Sequence, residues 1–183
     1  MDPSLTNWGL AFAQYRFDTD KLSLKHLALI QTQKSQLKQQ RVNYDDLQRA
    51  RHLARHAFTA VKKADIVFVE LPIGSQSARA MTSYGVAMGI LGSLQAQEHI
   101  IIGVLPSEIK LATIGCKKAP KQAIIERAIK KWPDLNWPRQ TVKKTSRIVT
   151  SKCEHMADAI GAIEAGILTL DFQQLIALHK KAS

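Results

Sequence analysis

ADIVFVELP, residues Ala64 to Pro72, indicates more about the architecture than any other stretch of the chain. It is an almost continuous apolar run that stops at Pro72, which is typical of a strand with both faces buried. A long segment rich in Gly, Ala and Met follows (residues 75–97), and then a second apolar run, HIIIGVLP. This order predicts two buried strands joined by a long helix.

Two further strands are predicted before this unit. NWGLAFAQYRF alternates well enough for a strand from Trp8 to Phe17, and LSLKHLALIQ predicts a second from Leu22 to Gln31. The turn Asp18–Thr19–Asp20 makes the two strands antiparallel. Hairpin strands followed by alternating strands and helices predict an α/β fold. Its mixed sheet has antiparallel hairpin strands, then parallel strands, and is flanked by helices.

Hydrophobic periodicity and end signals predict the other helices. Asn43 is predicted to cap a helix of residues 44–62 whose apolar face includes Leu47. Further helices are predicted at residues 107–114, 120–131, within 151–167, and at 171–180. No change of composition marks a domain boundary, so residues 1–183 are predicted to form a single domain.

The charge of the chain is unusual. Lys and Arg outnumber Asp and Glu by 26 − 15 = 11, and the isoelectric point is about 9.8. This indicates a polyanionic partner, first nucleic acid and second an anionic membrane surface. No apolar run reaches the roughly 18 residues of a membrane span, and no signal peptide is recognised. Cys116 and Cys153 are isolated and fit a reducing compartment, so a cytoplasmic location is expected.

Polar residues interrupt two segments that are otherwise predicted to be buried. Glu70 stands near the carboxyl end of the first apolar strand, the edge where open α/β sheets bind ligands. In SKCEHMADAIGAIEAGI (Ser151 to Ile167), His155 and Asp158 share one helical face with small residues, which would let that face approach a sheet closely. Glu164 points the other way and is predicted to be solvated.

Each of three acidic residues has an ordinary explanation when taken alone: Asp2 belongs to a turn, Glu70 lies at a sheet edge and Asp158 caps a helix. Taken together, the three carboxylates predict a shared cation site. Converging carboxylates repel one another, and one would take up a proton unless a cation lies between them. An oxygen-rich cluster with one His suits Mg²⁺ or Mn²⁺. Two such ions would stabilise the attacking and leaving oxygens of a phosphodiester displacement.

Four segments in register also carry a family resemblance. DPSLTNWGLA opens with Asp-Pro-Ser and continues to Thr and Gly, and FVELPIGSQSARAMTSYGVAMGIL is a strand ending in Glu before a long helix. PSEIKLATIGCKKAPKQAIIERAI has Lys, then Gly, then Lys, and HMADAIGAIEAG has His-x-x-Asp-Ala. In order and spacing, over residues 2–166, they resemble the RuvC-type Holliday junction resolvases (crossover junction endodeoxyribonucleases) of the RNase H-like superfamily.

The resemblance implies a set of site residues. Asp2, Glu70 and Asp158 fall at the family's metal-binding carboxylates, and His155 falls where the family has Asp or His. His155 would bind a metal or orient the attacking water, with Glu154 as its substitute. The implied catalytic and metal-binding set is therefore Asp2, Glu70, His155 and Asp158, with two Mg²⁺ or Mn²⁺ ions in each active site.

The resemblance also implies an activity and partners. A homodimer would nick four-way DNA junctions in DNA recombination and repair, and Lys110 and Lys121 fall where the family places basic residues near the cleaved strand. Two departures from the family pattern stand out. Asp2 follows Met1 directly, whereas the family's first strand begins several residues earlier, and Ile73 stands where many members carry an aromatic residue.

Two alternative functions stay open. The chain could be an RNase H-like nuclease for other branched DNA or hybrids, or a non-catalytic junction-binding protein.

Basic residues concentrate just before the acidic helix. From Cys116 to Lys152 the chain has eleven Lys or Arg against two acids, which suits contacts with the phosphates of junction arms. Trp132 and Trp137, in the same region, are predicted to pack in a Pro-rich loop. The predicted DNA-binding residues are Lys110, Lys117, Lys118, Lys121, Lys143 and Lys144.

Two further surfaces are noted on helices. A second basic set on the helix of residues 44–62 is predicted to be a solvated face; it comprises Arg49, Arg51, Arg55, Lys62 and Lys63. Gly85, Gly89 and Gly92 on the long helix predict either a dimer surface or close packing on the sheet.

Overall fold

The computed structural model describes residues 1–142 and 145–182, in which strands and helices alternate over most of the chain. The strands are β1 (Asp2–Pro3), β2 (Asn7–Arg16), β3 (Lys21–Gln31), β4 (Ile66–Glu70), β5 (Ile100–Val104), β6 (Arg139–Val142) and β7 (Thr145–Ile148). The helices are α1 (Val42–Val61), α2 (Ala78–Gln95), α3 (Pro106–Ile114), α4 (Lys121–Lys131), α5 (Glu154–Gly166) and α6 (Leu170–Ala182), with a short 3-10 helix at Thr150–Lys152.

The predicted hairpin is confirmed. β2 and β3 pair in antiparallel fashion along their length. The turn between them holds Asp20 at a φ of 51°, a left-handed conformation that Asp tolerates better than most residues. β1 adds a third antiparallel strand on the other side of β2, with Asp2 opposite Gly9.

The parallel pair is confirmed as well. β4 and β5 run side by side, with Glu70 opposite Val104. Met1 joins this pair to the hairpin, because its ammonium group donates to the Phe68 carbonyl (2.6 Å) and its carbonyl accepts from the Glu70 N–H (2.9 Å). β1 therefore lies between β2 and β4, and the arrangement is the mixed α/β sheet that the sequence predicts.

Helices cover both faces of the strands. Trp8, Leu53 and Val69 are fully buried where α1 and α2 pack on one face. On the other face α4 and α5 pack against the hairpin, and Leu27 of β3 belongs to the same cluster as Ile160 of α5. The side chains of β4 alternate between the two layers, so Glu70 points to the same side as Phe68, toward α5.

α5 lies directly on the sheet at both its start and its end, as its small residues predict. A Cβ atom at Gly9 would overlap the carbonyl of His155, and one at Gly166 would overlap the ring of Phe68. Glycine is therefore required at both positions by the close approach of helix and strand. The contact at Gly9 holds the start of α5 over the strand that pairs with Asp2.

The start of α1 differs from the prediction. The helix begins at Val42, and Arg41 is the N-cap without a side-chain cap, so Asn43 lies inside the helix. Leu47 is exposed, because the buried face of α1 is centred on Leu53 and lies on the other side of the helix. The predictions for Asn43 and Leu47 are both wrong.

The prediction that Arg49 lies on a solvated basic face is also wrong. It is buried, and its guanidinium donates to Thr32 Oγ1 (2.9 Å) and Thr6 Oγ1 (3.0 Å). It also lies 3.6 Å from Asp46. These bonds hold the middle of α1 to the residue just before β2 and the residue just after β3, so the charge serves the fold.

The basic region contains a hairpin that the sequence did not predict. β6 and β7 pair in antiparallel fashion, although their largely polar sequences lack the apolar alternation of a strand. Trp137 is buried, and its Nε1 donates to the Trp132 carbonyl (2.8 Å), so the expected packing of Trp137 is confirmed.

α6 closes the described part of the chain by packing Phe172 and Ile176 against Ile102 of β5. Joined to α5 across a bend of 58°, it has the length and apolar composition for a broken membrane span. No single helix within residues 1–142 and 145–182 is long and apolar enough to cross a membrane.

Glu164 of α5 is not solvated, contrary to the prediction. Its side chain is 6% exposed and accepts from Arg127 Nη1 (2.5 Å) and Lys131 Nζ (2.6 Å). Both cations belong to α4, which covers this side of α5. The periodicity of α5 alone could not show a partner supplied by another helix.

Replacing Glu164 by Gln should lower the free energy of unfolding by about 2 kcal/mol, because it weakens two charge-assisted bonds between α4 and α5. Glu126→Gln removes the same charge from the exposed face of α4 and is the matched control. Its expected change is within about 0.5 kcal/mol. Denaturant unfolding measures both, and equal losses in the two variants would contradict a specific role for Glu164.

Candidate active site

Three carboxylates converge at the junction of β1, β4 and α5. One oxygen from each of Asp2, Glu70 and Asp158 lies within 4.8 Å of the other two. The main-chain bonds of Met1 bring Asp2 beside the end of β4. The close contact at Gly9 brings the first turns of α5, and with them Asp158, over the same point. Residues distant in sequence thus form one cluster.

The cluster is half-buried, and its members repel one another. Burial raises the pKa of Glu70 to about 8, and the charges of Asp2 and Asp158 add to the increase. Burial also raises the pKa of Asp158 to about 7, with the charge of Asp2 as the next cause. Carboxyl groups that keep protons near neutral pH in this way would be ionised by a bound cation.

The donor atoms fit a hard divalent cation. All three side chains offer carboxylate oxygens, which Mg²⁺ and Mn²⁺ prefer, whereas structural zinc sites use Cys and His. Asp2, Glu70 and Asp158 would hold the ion, whose charge would offset their mutual repulsion. In the described part of the chain, no other three His, Cys, Asp or Glu side chains converge in this way.

His155 lies at the edge of the cluster and contacts Asp2. Its Nδ1 is 2.5 Å from Asp2 Oδ2. Burial lowers the pKa of His155, but the hydrogen bond and the charge of Asp2 outweigh burial, so the pKa is raised overall. A protonated His155 would donate to Asp2 and fix its orientation. Direct metal binding by His155 stays a prediction.

The charge of Lys121 also reaches the cluster. It begins α4 and forms an ion pair with Glu154, which begins α5. The hydrogen bond between them raises the pKa of Lys121 and lowers that of Glu154. The charge of Lys121 also acts against the pKa increases of Glu70 and Asp158. Glu154, considered above as a substitute ligand, thus holds a cation beside the carboxylates.

The other predicted DNA-binding lysines are more dispersed. Lys110 is partly buried on α3, and Lys117 and Lys118 are exposed between α3 and α4. Lys143 and Lys144 lie outside the described residues. Contact of these side chains with DNA stays a prediction.

Two features of the site have little or no signal in the sequence. Gly9 is needed for the approach of α5, and its only sequence signal is a glycine within a predicted strand. The pairing of Lys121 with Glu154 has no sequence signal, because two separate helices bring the residues together. Ile73, at the departure from the family pattern, is 72% exposed three residues after Glu70.

The glycine stripe of α2 faces outward. A Cβ atom added at Gly85, Gly89 or Gly92 would meet no other atom within 4 Å. Close packing of these glycines on the sheet, one of the two predicted roles, is therefore wrong. The stripe leaves a smooth exposed face on α2.

The mixed sheet and its two helical layers form an RNase H-like α/β fold, with the three carboxylates at the end of a strand. The same fold occurs in a Thermus thermophilus RuvC structure, with a TM-score of 0.60, 17% identity, and coverage of 90% of this chain and 89% of that chain. T. thermophilus RuvC in complex with a Holliday junction substrate gives a TM-score of 0.64 at 18% identity, covering 94% and 93%. No model of a protein family matches the chain, and no curated protein does. The resemblance to RuvC drawn from the four motifs is confirmed at the level of the fold.

Proposed function

We propose that this chain is a structure-selective endonuclease that nicks four-way (Holliday) DNA junctions by metal-dependent phosphodiester hydrolysis, in DNA recombination and repair. The observation that carries the proposal is the convergence of Asp2, Glu70 and Asp158 within the RuvC fold. A RuvC with this fold has been solved in complex with a Holliday junction substrate. In this proposal residues 1–183 act as one nuclease domain.

The residues of the chain prepare a site for a scissile phosphate. When bound, Mg²⁺ or Mn²⁺, two per site, would supply Lewis acidity and an activated water for in-line displacement. Asp2, Glu70 and Asp158 hold the positive charge in place, and His155 orients Asp2. Lys121, once released from Glu154, offers its ammonium group to a phosphate oxygen of the cleaved strand.

The excess of cations supports a DNA partner. Lys117 and Lys118 are exposed in the segment that leads to Lys121 and the cluster. Junction arms that pass over this segment would meet a positively charged surface. Binding should weaken with added salt by about 0.9 log units of affinity, per log unit of salt, for each phosphate contacted.

Cleavage of matched substrates tests the proposal. Equal amounts of protein would be given a four-way junction, a flap, an RNA–DNA hybrid and a linear duplex, with Mg²⁺ or with EDTA. We expect nicks in the junction alone, at symmetric positions and only with the metal. Faster cutting of a flap or a hybrid would show that the site acts on another substrate. Junction binding without cleavage of any substrate would show that the chain is a non-catalytic binding protein.

We also propose a homodimer formed through α2, because a smooth face that includes Gly85 and Gly89 permits close approach of a second helix. Gly89→Lys should convert the dimer to a monomer in sedimentation measurements and abolish paired cuts. Gln97→Lys, exposed just past the end of α2, is the control and should stay dimeric. A Gly89→Lys variant that sediments like the parent would contradict this interface.

A further inference from the structure

The outward face of α1 forms a second basic surface. Arg51, Arg55 and Lys62 are exposed, and helical geometry places the three within about 40° of one another around the helix axis. Tyr44, exposed, and Gln48, half-buried, lie on the same stripe. We call these five residues the α1 surface. It lies on the opposite side of the sheet from α5, so DNA bound at the carboxylates would not cover it.

No acidic side chain of α1 itself interrupts the α1 surface. The two acids of α1, Asp45 and Asp46, are 6% and 8% exposed. Asp46 pairs with Arg79, and Asp45 accepts from the Ser35 N–H (3.2 Å). Within residues 1–142 and 145–182, the three cations of the α1 surface form no ion pair. Their charge is therefore fully available to a ligand.

Two features of the positive charge on α1 work against the stability of the helix, although Asp45 in the first turn and Lys62 at the C-cap favour it. Arg51 and Arg55 are one turn apart and repel each other. Arg41, at the N-cap, adds positive charge at the positive end of the helix dipole. A helix face that served solubility alone would gain by mixing both signs. A helix face that carries only positive charge therefore favours a polyanionic ligand.

We propose that the α1 surface binds the phosphate backbone of a second segment of double-stranded DNA, separate from the DNA at the carboxylate cluster. Every side chain of this surface can donate hydrogen bonds, and Arg, Lys, Gln and Tyr are common phosphate contacts without sequence preference. α1 extends about 30 Å, which is close to nine base pairs at about 3.4 Å each. The protein thereby bridges two duplexes. This binding goes beyond the proposed nicking and stands even if the chain cuts nothing.

The test is a bridging assay with the full chain in EDTA, so that no substrate is cleaved. A four-way junction is immobilised and saturated with protein, and a labelled linear duplex is then added. The α1 variant carries Arg51→Gln, Arg55→Gln and Lys62→Gln. The control carries Lys21→Gln, Lys180→Gln and Lys181→Gln, which removes the same charge from exposed positions elsewhere. Thermal unfolding confirms that both variants fold.

We expect the parent and the control to capture the duplex, and the α1 variant to capture it at least about tenfold less. The slope of log affinity for the duplex against log salt concentration should also become shallower by about 0.9 for each phosphate that the variant no longer binds. Equal capture by the α1 variant and the control, or no capture by the parent, would overturn the proposal. Binding of the same variants to vesicles of phosphatidylglycerol is measured alongside. If the α1 variant lost binding to the vesicles but captured the duplex like the control, the result would overturn the proposal in favour of a membrane surface. Failure of nicking with intact bridging would refute only the proposed activity.

Discussion

Glu70→Gln and Asp158→Asn should each reduce the rate of junction nicking in Mg²⁺ by about 100-fold or more, with little change in junction affinity. Each substitution keeps the size of the side chain and removes one of three converging carboxylates. The loss falls on catalysis, because the site would hold the cation with less charge. Affinity for the junction depends mainly on exposed cations near the cluster, such as Lys117 and Lys118, and neither substitution changes them.

Single-turnover cleavage of a labelled synthetic junction measures the rate, and anisotropy in EDTA measures the affinity. Glu126→Gln removes an acid from the exposed side of α4 and should cut at the parental rate. If Glu70→Gln or Asp158→Asn also cuts at that rate, the carboxylates are not the active site. If both variants lose affinity in proportion to rate, their role is in binding and not in the chemical step.

Without a divalent cation, the protein should become less stable as the pH rises from about 5 to 8. The pKa of Glu70 is about 8 in the folded protein, against an ordinary value of 4.5, so the folded state keeps a proton that the unfolded chain has released. Stability is highest where both states are protonated and falls until Glu70 ionises. Asp158, with a pKa of about 7, acts in the same direction. The expected loss is about 3 kcal/mol.

Denaturant unfolding in EDTA across this pH range measures the effect, with Glu70→Gln as the comparison. Burial lowers the pKa of the Met1 amino group to about 5, which raises stability with pH in both proteins. The difference between them therefore reports Glu70 together with the effect of its charge on the pKa of Met1. Excess Mg²⁺ should stabilise the parent most at pH 8, where the carboxylates are ionised. Parallel pH profiles for the parent and Glu70→Gln would contradict the raised pKa of this carboxyl.

Much of the fold follows from local sequence patterns. The apolar run before Glu70 and the alternation around Trp8 predict β4 and the hairpin, because each pattern reflects the burial of one strand. The small residues of α5 predict its close approach to the sheet. The structure then brings Glu70 and Asp158 to one point, beside Asp2.

The remainder depends on contacts between elements, which no local pattern encodes. Glu164 is buried because α4 supplies its cations, and Arg49 is buried because its partners lie beside β2. Lys121 reaches the cluster through Glu154 on another helix. A charged residue shows its type in the sequence, but its partner becomes visible only when the helices are packed.

A crystal structure grown with Mn²⁺ would locate the cation without any enzymology. We predict an anomalous peak about 2 Å from carboxylate oxygens of Asp2, Glu70 and Asp158. A Mn²⁺ ion bound elsewhere, with no peak among these three side chains, would contradict the shared cation site on which the proposed nuclease activity depends.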